Sequence, residues 1–205
     1  MAELTEWDRR YAARSRLFHV EPDNALVELA GPLTPGAAVD VGAGEGRNSL
    51  WLAEHGWHVT AVDSSEVALA RTRETAESSG LSVETVKGDM AEYLDKGPRF
   101  DLVVIANIHP VPADRAALLE SASDAVKPGG HLFLIGHHLD SFGHAGPPDP
   151  ERLYTAERLQ DAFPGLVVER LERRERVGGH GGERRTDEPA PVKLIDMVVW
   201  ASAPV

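Results

Sequence analysis

The chain contains no cysteine, no long apolar run and no excess of positive charge. The absence of cysteine excludes disulfides, thiolate metal sites and cysteine nucleophiles. No apolar run approaches the ~20 residues that cross a bilayer. The first residues lack the basic start and apolar stretch of a signal peptide. We therefore expect a cytoplasmic protein without a membrane partner.

The charge balance bears on possible macromolecular partners. The formal net charge is -12, whereas a protein that binds nucleic acid needs cationic surface to displace counterions. We therefore expect no nucleic-acid partner. Arginines between Arg170 and Arg185 are interleaved with glutamates, which favours a solvated strand face and loop over a local anion site.

Predicted strands and helices alternate along the 205 residues, which is typical of one α/β domain with a parallel sheet. The last two strands have nothing helical between them and should pair antiparallel. Residues 127–130, Lys-Pro-Gly-Gly, are expected to form a sharp stop before the fifth strand. Strands are predicted at 38–41, 57–63, 82–87, 100–107, 131–136, 166–177 and 191–202, and helices at 6–15, 24–30, 48–55, 65–79, 113–126 and 156–163.

A glycine-rich turn follows the first predicted strand, which ends at Val41. Gly42, Gly44 and Gly46 predict a tight turn that leads into a helix N-terminus, where a ligand can lie against bare backbone. A dinucleotide site requires its third glycine at the position of Arg47. The turn therefore disfavours a nicotinamide enzyme.

This turn and four later motifs resemble the class I S-adenosylmethionine-dependent methyltransferases over most of the chain. The resemblance implies a Rossmann-like seven-stranded sheet with helices on both faces and an antiparallel last strand. It implies S-adenosyl-L-methionine as the cofactor. The motifs are, in chain order, Asp40–Gly46, Asp63, Gly88–Met90, Phe100–Val104 and Val126–Gly130.

The resemblance also assigns roles to individual residues. Asp63 would accept both ribose hydroxyls in charge-assisted bonds, and Asp89 would accept from the adenine amine. Alternatively, Asp63 only caps the next helix, Asp89 only forms a turn, and Asp40 only bonds the amides of the glycine turn. The predicted cofactor-binding residues are Asp40, Gly42, Gly44, Gly46, Arg47, Asn48, Asp63, Ser64, Asp89, Met90 and Asn107, with Trp7, Tyr11 and Arg16 from the N-terminus.

A narrower resemblance concerns the N-terminal third. Residues 7–11, 21–24 and 46–53 are similar to small methyltransferases related to the tellurite-resistance and thiopurine types. These proteins close the cofactor pocket with an N-terminal helix. The resemblance therefore implies one domain over residues 1–205, with residues 1–30 as a helical cap.

Histidines cluster after the fourth and fifth predicted strands, where chemistry takes place in this fold. Histidine titrates near neutral pH and is a natural general base. We predict His144 as the base, followed by His109 and His138, in a substrate-side loop at 137–154. Each of them could equally be structural. A divalent cation held by His137 and Asp140 is the competing use of this cluster.

The acceptor is the least specified part of the prediction. The loop histidines and small size look similar to mycobacterial sugar O-methyltransferases, which implies a methyl transfer to a hydroxyl of a small, methylmannose-type glycoside. One alternative is a detoxifying methyltransferase for tellurite, a thiol or a heterocyclic nitrogen. The second alternative is a non-catalytic nucleotide-binding module. A monomer or a homodimer is expected.

Overall fold

A computed structural model describes residues 4–177 and 193–205 of the chain. Strands and helices alternate in it, as the sequence predicted. The strands are β1 (Ala37–Val41), β2 (His58–Asp63), β3 (Val83–Lys87), β4 (Phe100–Ala106), β5 (Val126–His137), β6 (Val167–Val177) and β7 (Lys193–Ser202), and the helices are α1 (Glu6–Ala12), α2 (Asn24–Ala30), α3 (Arg47–Glu54), α4 (Glu66–Ser78), α5 (Met90–Lys96), α6 (Pro112–Asp124) and α7 (Ala156–Leu159).

The seven strands form one sheet in the order β3-β2-β1-β4-β5-β7-β6. Strands β1 to β5 are mutually parallel, and β7 is antiparallel to both β5 and β6. The predicted Rossmann-like sheet with an antiparallel last strand is therefore confirmed. The chain order reverses between β1 and β4, and ligands of such sheets bind outside the carboxyl ends of the strands at this reversal.

Helices cover both faces of the sheet, because alternate residues of each central strand point to opposite sides. Val39 and Val103 pack with side chains of α5, α6 and α7. Leu102 and Val104 pack with α2 and α3 on the other face. These side chains are fully buried, so the central strands are apolar on both faces as parallel strands require.

Several element boundaries differ from the prediction. Helix α5 was not predicted, because its seven residues carry little apolar periodicity. Residues 127–130 were predicted to form a sharp stop before the fifth strand. In the structure they belong to β5, at a shift in the register between β4 and β5, and Gly129 has φ 74°. Helix α1 ends at Ala12 and α7 at Leu159, earlier than predicted. The predicted connection at 178–190 and the start of the last strand at 191–192 lie outside the described residues.

The segment 137–154 follows β5 at the carboxyl edge of the sheet. It contains two 3-10 turns, Leu139–Ser141 and Pro150–Arg152, and a bridge between His138 and Tyr154. It is thus more ordered than the loop that its glycines and prolines predicted. Among the described residues, none of the helices has the length and apolar character needed to cross a membrane.

Candidate functional site

The glycine turn joins β1 to α3 at the carboxyl edge. Gly42, Gly44 and Gly46 have φ values of 69°, 57° and 77°, which other residues rarely adopt. A Cβ on Gly46 would also lie 2.4 Å from Cγ2 of Thr72. Gly46 is therefore needed to seat the turn against α4, and its role is structural at least in part.

Two protein side chains lie over the other glycines. A Cβ on Gly42 would lie 2.1 Å from Cδ1 of Ile108, and one on Gly44 would lie 2.6 Å from the Tyr11 hydroxyl. Met90 also borders Gly42, with its sulfur 3.2 Å from the position of that Cβ. The backbone that the sequence predicted to be bare is thus partly covered by the chain's own side chains.

Asp63 ends β2 beside this turn and is buried. One carboxylate oxygen accepts the Gly44 amide at 2.8 Å, and the other accepts the Ser65 amide at 2.8 Å. Burial raises the pKa of Asp63, and these amide bonds partly offset the rise. A carboxylate offers about four lone-pair sites, so the bonds to the turn and to α4 leave capacity for two ligand hydroxyls.

Asp40 lies beneath the turn and is 2% exposed. Its carboxylate accepts the Ser49 hydroxyl at 2.7 Å, which ties β1 to the first turn of α3. Burial raises the pKa of Asp40 from 3.8 to about 6, with the Ser49 bonds and the Arg47 charge opposing the rise. Asp40 therefore supports the turn from below.

The buried charge of Asp40 makes a pH-dependent prediction. A pKa raised from 3.8 to about 6 corresponds to a loss of about 3 kcal/mol of stability as the pH rises through that range. The stabilising contribution of Asp40 is fully present below its pKa in the unfolded state, 3.8, and is lost above its pKa in the folded state, about 6. Asp40→Asn should therefore gain up to about 3 kcal/mol of stability relative to wild type as the pH rises from about 3 to about 7.

Urea unfolding of both proteins across this pH range measures that difference. Asp95→Asn, at an exposed position on α5, is the matched control and should show a flat difference. If the difference in unfolding free energy between Asp40→Asn and wild type is also independent of pH, burial does not raise the pKa of Asp40.

The N-terminal segment is fastened to α4. Asp8 is 1% exposed and forms a capping box with Thr5. It also accepts the Ser65 hydroxyl at 2.7 Å and the Val67 amide at 3.2 Å. Burial acts to raise the pKa of Asp8, but these hydrogen bonds outweigh it and the pKa is lowered. Helix α1 is therefore held beside Asp63 and the glycine turn.

A second fastening starts from Glu45, inside the glycine turn. Its carboxylate accepts the Leu17 and Phe18 amides at 2.9 and 3.3 Å. It also pairs with Arg71 at 2.8 Å, and Arg71 in turn donates to the Tyr11 carbonyl at 3.0 Å. The segment between α1 and α2 is thereby bonded directly to the turn.

The three N-terminal residues predicted to lie near the cofactor differ in placement. Tyr11 is buried over Gly44, and burial, together with Asp63, raises its pKa. Trp7 is 39% exposed and lies under the Arg10 guanidinium, 4.1 Å from the ring centre. Arg16 follows α1 and is partly buried.

Two predicted ligand residues carry polar atoms that nothing satisfies. Within residues 4–177 and 193–205, the buried side-chain atoms without a hydrogen-bond partner are Nε of Arg16 and both amide atoms of Asn107. Such groups cost about 1–3 kcal/mol each when left unpaired. A polar ligand at this edge would remove that cost, so the residues present fit a bound molecule with acidic and amino groups.

The remaining predicted cofactor residues have identifiable local roles. Asn48 accepts the Asp23 amide at 2.9 Å, and Arg47 lies 3.4 Å from the Asp23 carboxylate. Asp89 caps α5 by accepting the Glu92 amide at 3.0 Å. Ser64 is exposed, and the N-cap of α4 is Ser65 instead.

His109 has its accepting nitrogen in use. Nε2 accepts the His137 amide at 2.9 Å, so the ring proton of the neutral form is on Nδ1. Burial lowers the pKa of His109 to about 3, with His137 as a further cause. The predicted role of His109 as a base is therefore not supported by this geometry, because a base needs a free lone pair.

The other two predicted bases differ in exposure. Nδ1 of His138 accepts the Asp140 amide at 3.0 Å, and burial lowers its pKa. His138 thus caps a 3-10 turn with the lone pair that a base would use. His144 is exposed, between Gly143 and Gly146, which have φ values of 82° and 87°. Of the three, His144 has the geometry most compatible with proton transfer.

His137 is part of a buried charged cluster. Its Nδ1 lies 2.8 Å from Asp196, its neighbour across β5 and β7, and Asp196 also binds Arg176. Burial acts to raise the pKa of Asp196, but the His137 bond and the Arg176 charge hold it below its ordinary value.

The predicted metal ligand Asp140 pairs with Arg173. In the part of the chain that the structure describes, no group of three His, Cys, Asp or Glu side chains is arranged to hold a metal, and His137 and Asp140 do not form such a site.

Several site residues were not predicted from the sequence. Asp196 interrupts an apolar run in β7, which is a signal for a paired, buried charge. Thr5 and Asp8 have capping-box spacing that could have marked the start of α1. Glu45 and Arg71 are 26 residues apart, and nothing local connects them.

Comparison with known proteins identifies the domain. Residues 38–130 match the model of a methyltransferase domain. A ubiquinone biosynthesis O-methyltransferase of Methylobacterium is 32% identical over 67% of this chain and 62% of its own length. Ribosomal RNA small subunit methyltransferase C of Alcanivorax borkumensis is 34% identical over 50% of this chain. The chain spans 33% of the length of that relative.

Solved structures share the fold. TehB from Haemophilus influenzae superposes with a TM-score of 0.71 and 20% identity, over 88% of this chain and 62% of TehB. A methyltransferase from Methanosarcina mazei gives 0.68 and 19% identity, over 90% and 99% of the two chains. The sequence match makes residues 38–130 a methyltransferase domain of the class I, S-adenosylmethionine-dependent family, and the fold of the described chain agrees with it.

Proposed function

We propose that the protein binds S-adenosylmethionine against the glycine turn and transfers its methyl group to a hydroxyl of a small acceptor. One observation carries the cofactor half of this proposal: among the described residues, the buried side-chain atoms without hydrogen-bond partners belong to Arg16 and Asn107. Arg16 precedes Leu17, whose amide bonds Glu45 of the turn, and Asn107 precedes Ile108, which lies against Gly42. The Asp63 carboxylate bonds the Gly44 amide of the same turn. Asp63 would take the ribose hydroxyls, and Arg16 and Asn107 the amino-acid end.

The residues of this chain have three tasks in the transfer. S-adenosylmethionine supplies an electrophilic methyl group on a sulfonium sulfur. The site holds the acceptor oxygen in line with that methyl carbon, so that a C–O bond forms as the C–S bond breaks and sulfur keeps the electron pair. His144 takes the hydroxyl proton. Residues 1–30 act as the cap that excludes water.

We assign the acceptor to sugars or short glycosides. An exposed carboxylate and guanidinium, those of Asp140 and Arg173, pair beside the segment that follows β5. An acceptor and a donor of this kind suit the hydroxyls of a polyol. The relative that covers the largest share of this chain among those above is named as an O-methyltransferase, which supports oxygen as the methylated atom.

A second acceptor class is favoured by a different observation. Val111 and Phe142 are 43% and 44% exposed, on the segments that follow β4 and β5. Apolar side chains at the edge of a site suit an acceptor with an aromatic ring. The ubiquinone biosynthesis relative points the same way. A ring-bound hydroxyl is therefore the alternative to a sugar hydroxyl.

A labelled-methyl assay tests the proposed reaction. Purified protein and methyl-labelled S-adenosylmethionine are incubated with methyl mannosides, catechol or a small thiol, and label in the product is counted. We expect transfer to the mannosides. His144→Ala should lower that rate by roughly 100-fold or more. His58→Ala, at an exposed position at the opposite edge, should leave it unchanged.

The other outcomes separate the alternatives. Transfer only to catechol would replace the sugar by an aromatic acceptor. Transfer only to the thiol, at a rate that His144→Ala does not change, would favour a detoxifying methyltransferase. Cofactor binding without transfer to any acceptor would favour a binding module.

A further inference from the structure

An ion pair joins the glycine turn to α4. Glu45, between the second and third glycines of the turn, pairs with Arg71 at 2.8 Å. The Glu45 side chain is 5% exposed and that of Arg71 is 26% exposed. A carboxylate buried to this extent is left with an uncompensated charge when its cation is removed, so the pair is a fixed connection between the two elements.

Both members of this pair also bind the backbone of the segment between α1 and α2. Oε2 of Glu45 accepts the Leu17 amide at 2.9 Å. Nη2 of Arg71 donates to the Arg14 carbonyl at 2.7 Å. These two bonds hold the chain on either side of Arg16, and they come from the two partners of one ion pair.

Further bonds join the segment, the turn and α4. The same guanidinium donates to the Tyr11 carbonyl at 3.0 Å, near the end of α1, and the same carboxylate accepts the Phe18 amide at 3.3 Å. Thr72, the next residue of α4, donates its hydroxyl to the Gly44 carbonyl at 3.1 Å. The three parts of the chain are therefore held as one unit.

The side chain of Arg16 is left incompletely bonded within this unit. Its Nε is buried and has no hydrogen-bond partner among the residues that the structure describes. A guanidinium matches a carboxylate, which accepts two parallel N–H bonds in a planar arrangement. Nε and a neighbouring Nη form one edge of the guanidinium, so an unpaired Nε leaves that edge available to a carboxylate.

The position of the segment indicates which end of the ligand Arg16 meets. Asp63 bonds the Gly44 amide, and the next residue, Glu45, holds the Leu17 amide. A ligand whose ribose lies at Asp63 therefore has the Arg16 segment beside its other end. In S-adenosylmethionine that end is an amino acid, which carries the carboxylate of the molecule.

We propose that Glu45 and Arg71 are positioning residues, whose ion pair holds residues 14–18 so that the Arg16 guanidinium meets the carboxylate of the bound methyl donor. This inference rests on the proposed function, because it requires that S-adenosylmethionine lies against the glycine turn. The pair acts through Arg16, so it determines the affinity for the amino-acid end of the ligand in particular.

Two ligands separate a positioning role from a general loosening of the turn. S-adenosylhomocysteine carries the amino-acid end. In contrast, 5′-methylthioadenosine has the same adenine, ribose and thioether sulfur but lacks that end. A loosened turn weakens the binding of both ligands, because both contain the ribose. A displaced Arg16 weakens the binding of S-adenosylhomocysteine alone.

Calorimetric titration of both ligands measures the consequence. Arg16→Gln should weaken S-adenosylhomocysteine binding by roughly 10-fold or more and Arg71→Gln by roughly 5- to 10-fold, while both variants bind methylthioadenosine within about 2-fold of wild type. Glu45→Gln, which keeps an oxygen for the segment and loses the charge, should give the same selective loss. The double variant Arg16→Gln/Arg71→Gln should bind no more weakly than Arg16→Gln alone, because both substitutions remove one contact.

Arg73→Gln is the matched control. Arg73 lies two residues further along α4 in an ion pair with Glu66, and the two side chains are 39% and 49% exposed. This variant should bind both ligands as wild type does. If Arg71→Gln does not fold, Arg71→Lys replaces it with the same expectation, because lysine keeps the charge beside Glu45 and lacks the second nitrogen that bonds the segment.

The outcomes distinguish this inference from the function on which it rests. No binding of either ligand by wild type would overturn the proposed function. If wild type binds, equal losses for the two ligands in Arg71→Gln, unchanged S-adenosylhomocysteine binding by that variant, or additive losses in the double variant would overturn the inference alone. Binding of methylthioadenosine by wild type as tightly as S-adenosylhomocysteine would also overturn it, because Arg16 would then contribute nothing.

Discussion

Asp63→Ala is expected to weaken S-adenosylhomocysteine binding by roughly 100-fold or more, the largest effect of a single substitution on the cofactor site. Two hydrogen bonds to a charged carboxylate contribute about 3–5 kcal/mol together, and each 1.4 kcal/mol is tenfold in affinity. Asp63 also holds the Gly44 amide, so its loss loosens the turn against which the ligand lies. Isothermal titration calorimetry measures the change directly.

Two further variants make this result specific. Asp63→Asn keeps an acceptor for one hydroxyl without the charge, and we expect a smaller loss of roughly 10-fold. Asp95→Ala removes an exposed carboxylate from α5 and should bind as wild type does. If Asp63→Ala melts cooperatively and still binds within about 3-fold of wild type, Asp63 serves only to hold the Gly44 and Ser65 amides.

Asp196→Ala is expected to lower the free energy of unfolding by about 3–5 kcal/mol, the largest loss of stability among the charged residues of the site. The reason is that Asp196 is 2% exposed and is bonded to both His137 and Arg176. Removing the carboxylate takes away an acceptor that the buried His137 ring and the partly exposed Arg176 guanidinium share. Urea unfolding at neutral pH, with Asp196→Asn as a milder variant, measures the loss.

Asp140→Ala provides the matched control for this prediction. Asp140 also pairs with an arginine of β6, but both side chains of that pair are 52% exposed. Exposed pairs contribute about 0–1 kcal/mol, so this variant should unfold close to wild type. Equal losses for the two variants would show that burial does not determine the strength of these pairs.

Local chemistry made much of the fold predictable. The turn at Gly42–Gly46 requires glycine at positive φ, the N-cap of α4 is a serine with a standard capping bond, and β4 is apolar on both faces. Each of these signals lies within a few residues of the element that it marks. Helix α5 carries only one local signal, the Asp89 cap, and was missed.

The arrangement around the histidines could not be predicted, because it depends on distant parts of the chain. His137 and Asp196 are 59 residues apart, and Nε2 of His109 meets an amide 28 residues away. A sequence pattern shows that histidines collect at one edge of the sheet. Which nitrogen is already bonded, and so which ring can take a proton, follows only from the packing.

The N-terminal segment was predictable in part from local signals, whereas the bonds that hold it depend on distant residues. Its apolar residues predicted a helix near the glycine turn, and Tyr11 is buried there. The bonds that fasten it come from Asp8 and Glu45, and both carboxylates look like ordinary surface charges in the sequence. Burial, rather than residue type, gives them their role.

The most direct test of the account is a calorimetric titration of S-adenosylhomocysteine into the wild-type protein, with NAD⁺ titrated under the same conditions. The account predicts one site per chain with a Kd of about 10 μM or tighter, equivalent to about -7 kcal/mol, and no binding of NAD⁺. Absence of S-adenosylhomocysteine binding up to about 1 mM, or tighter binding of NAD⁺, would contradict the central claim that the glycine turn holds the methyl donor.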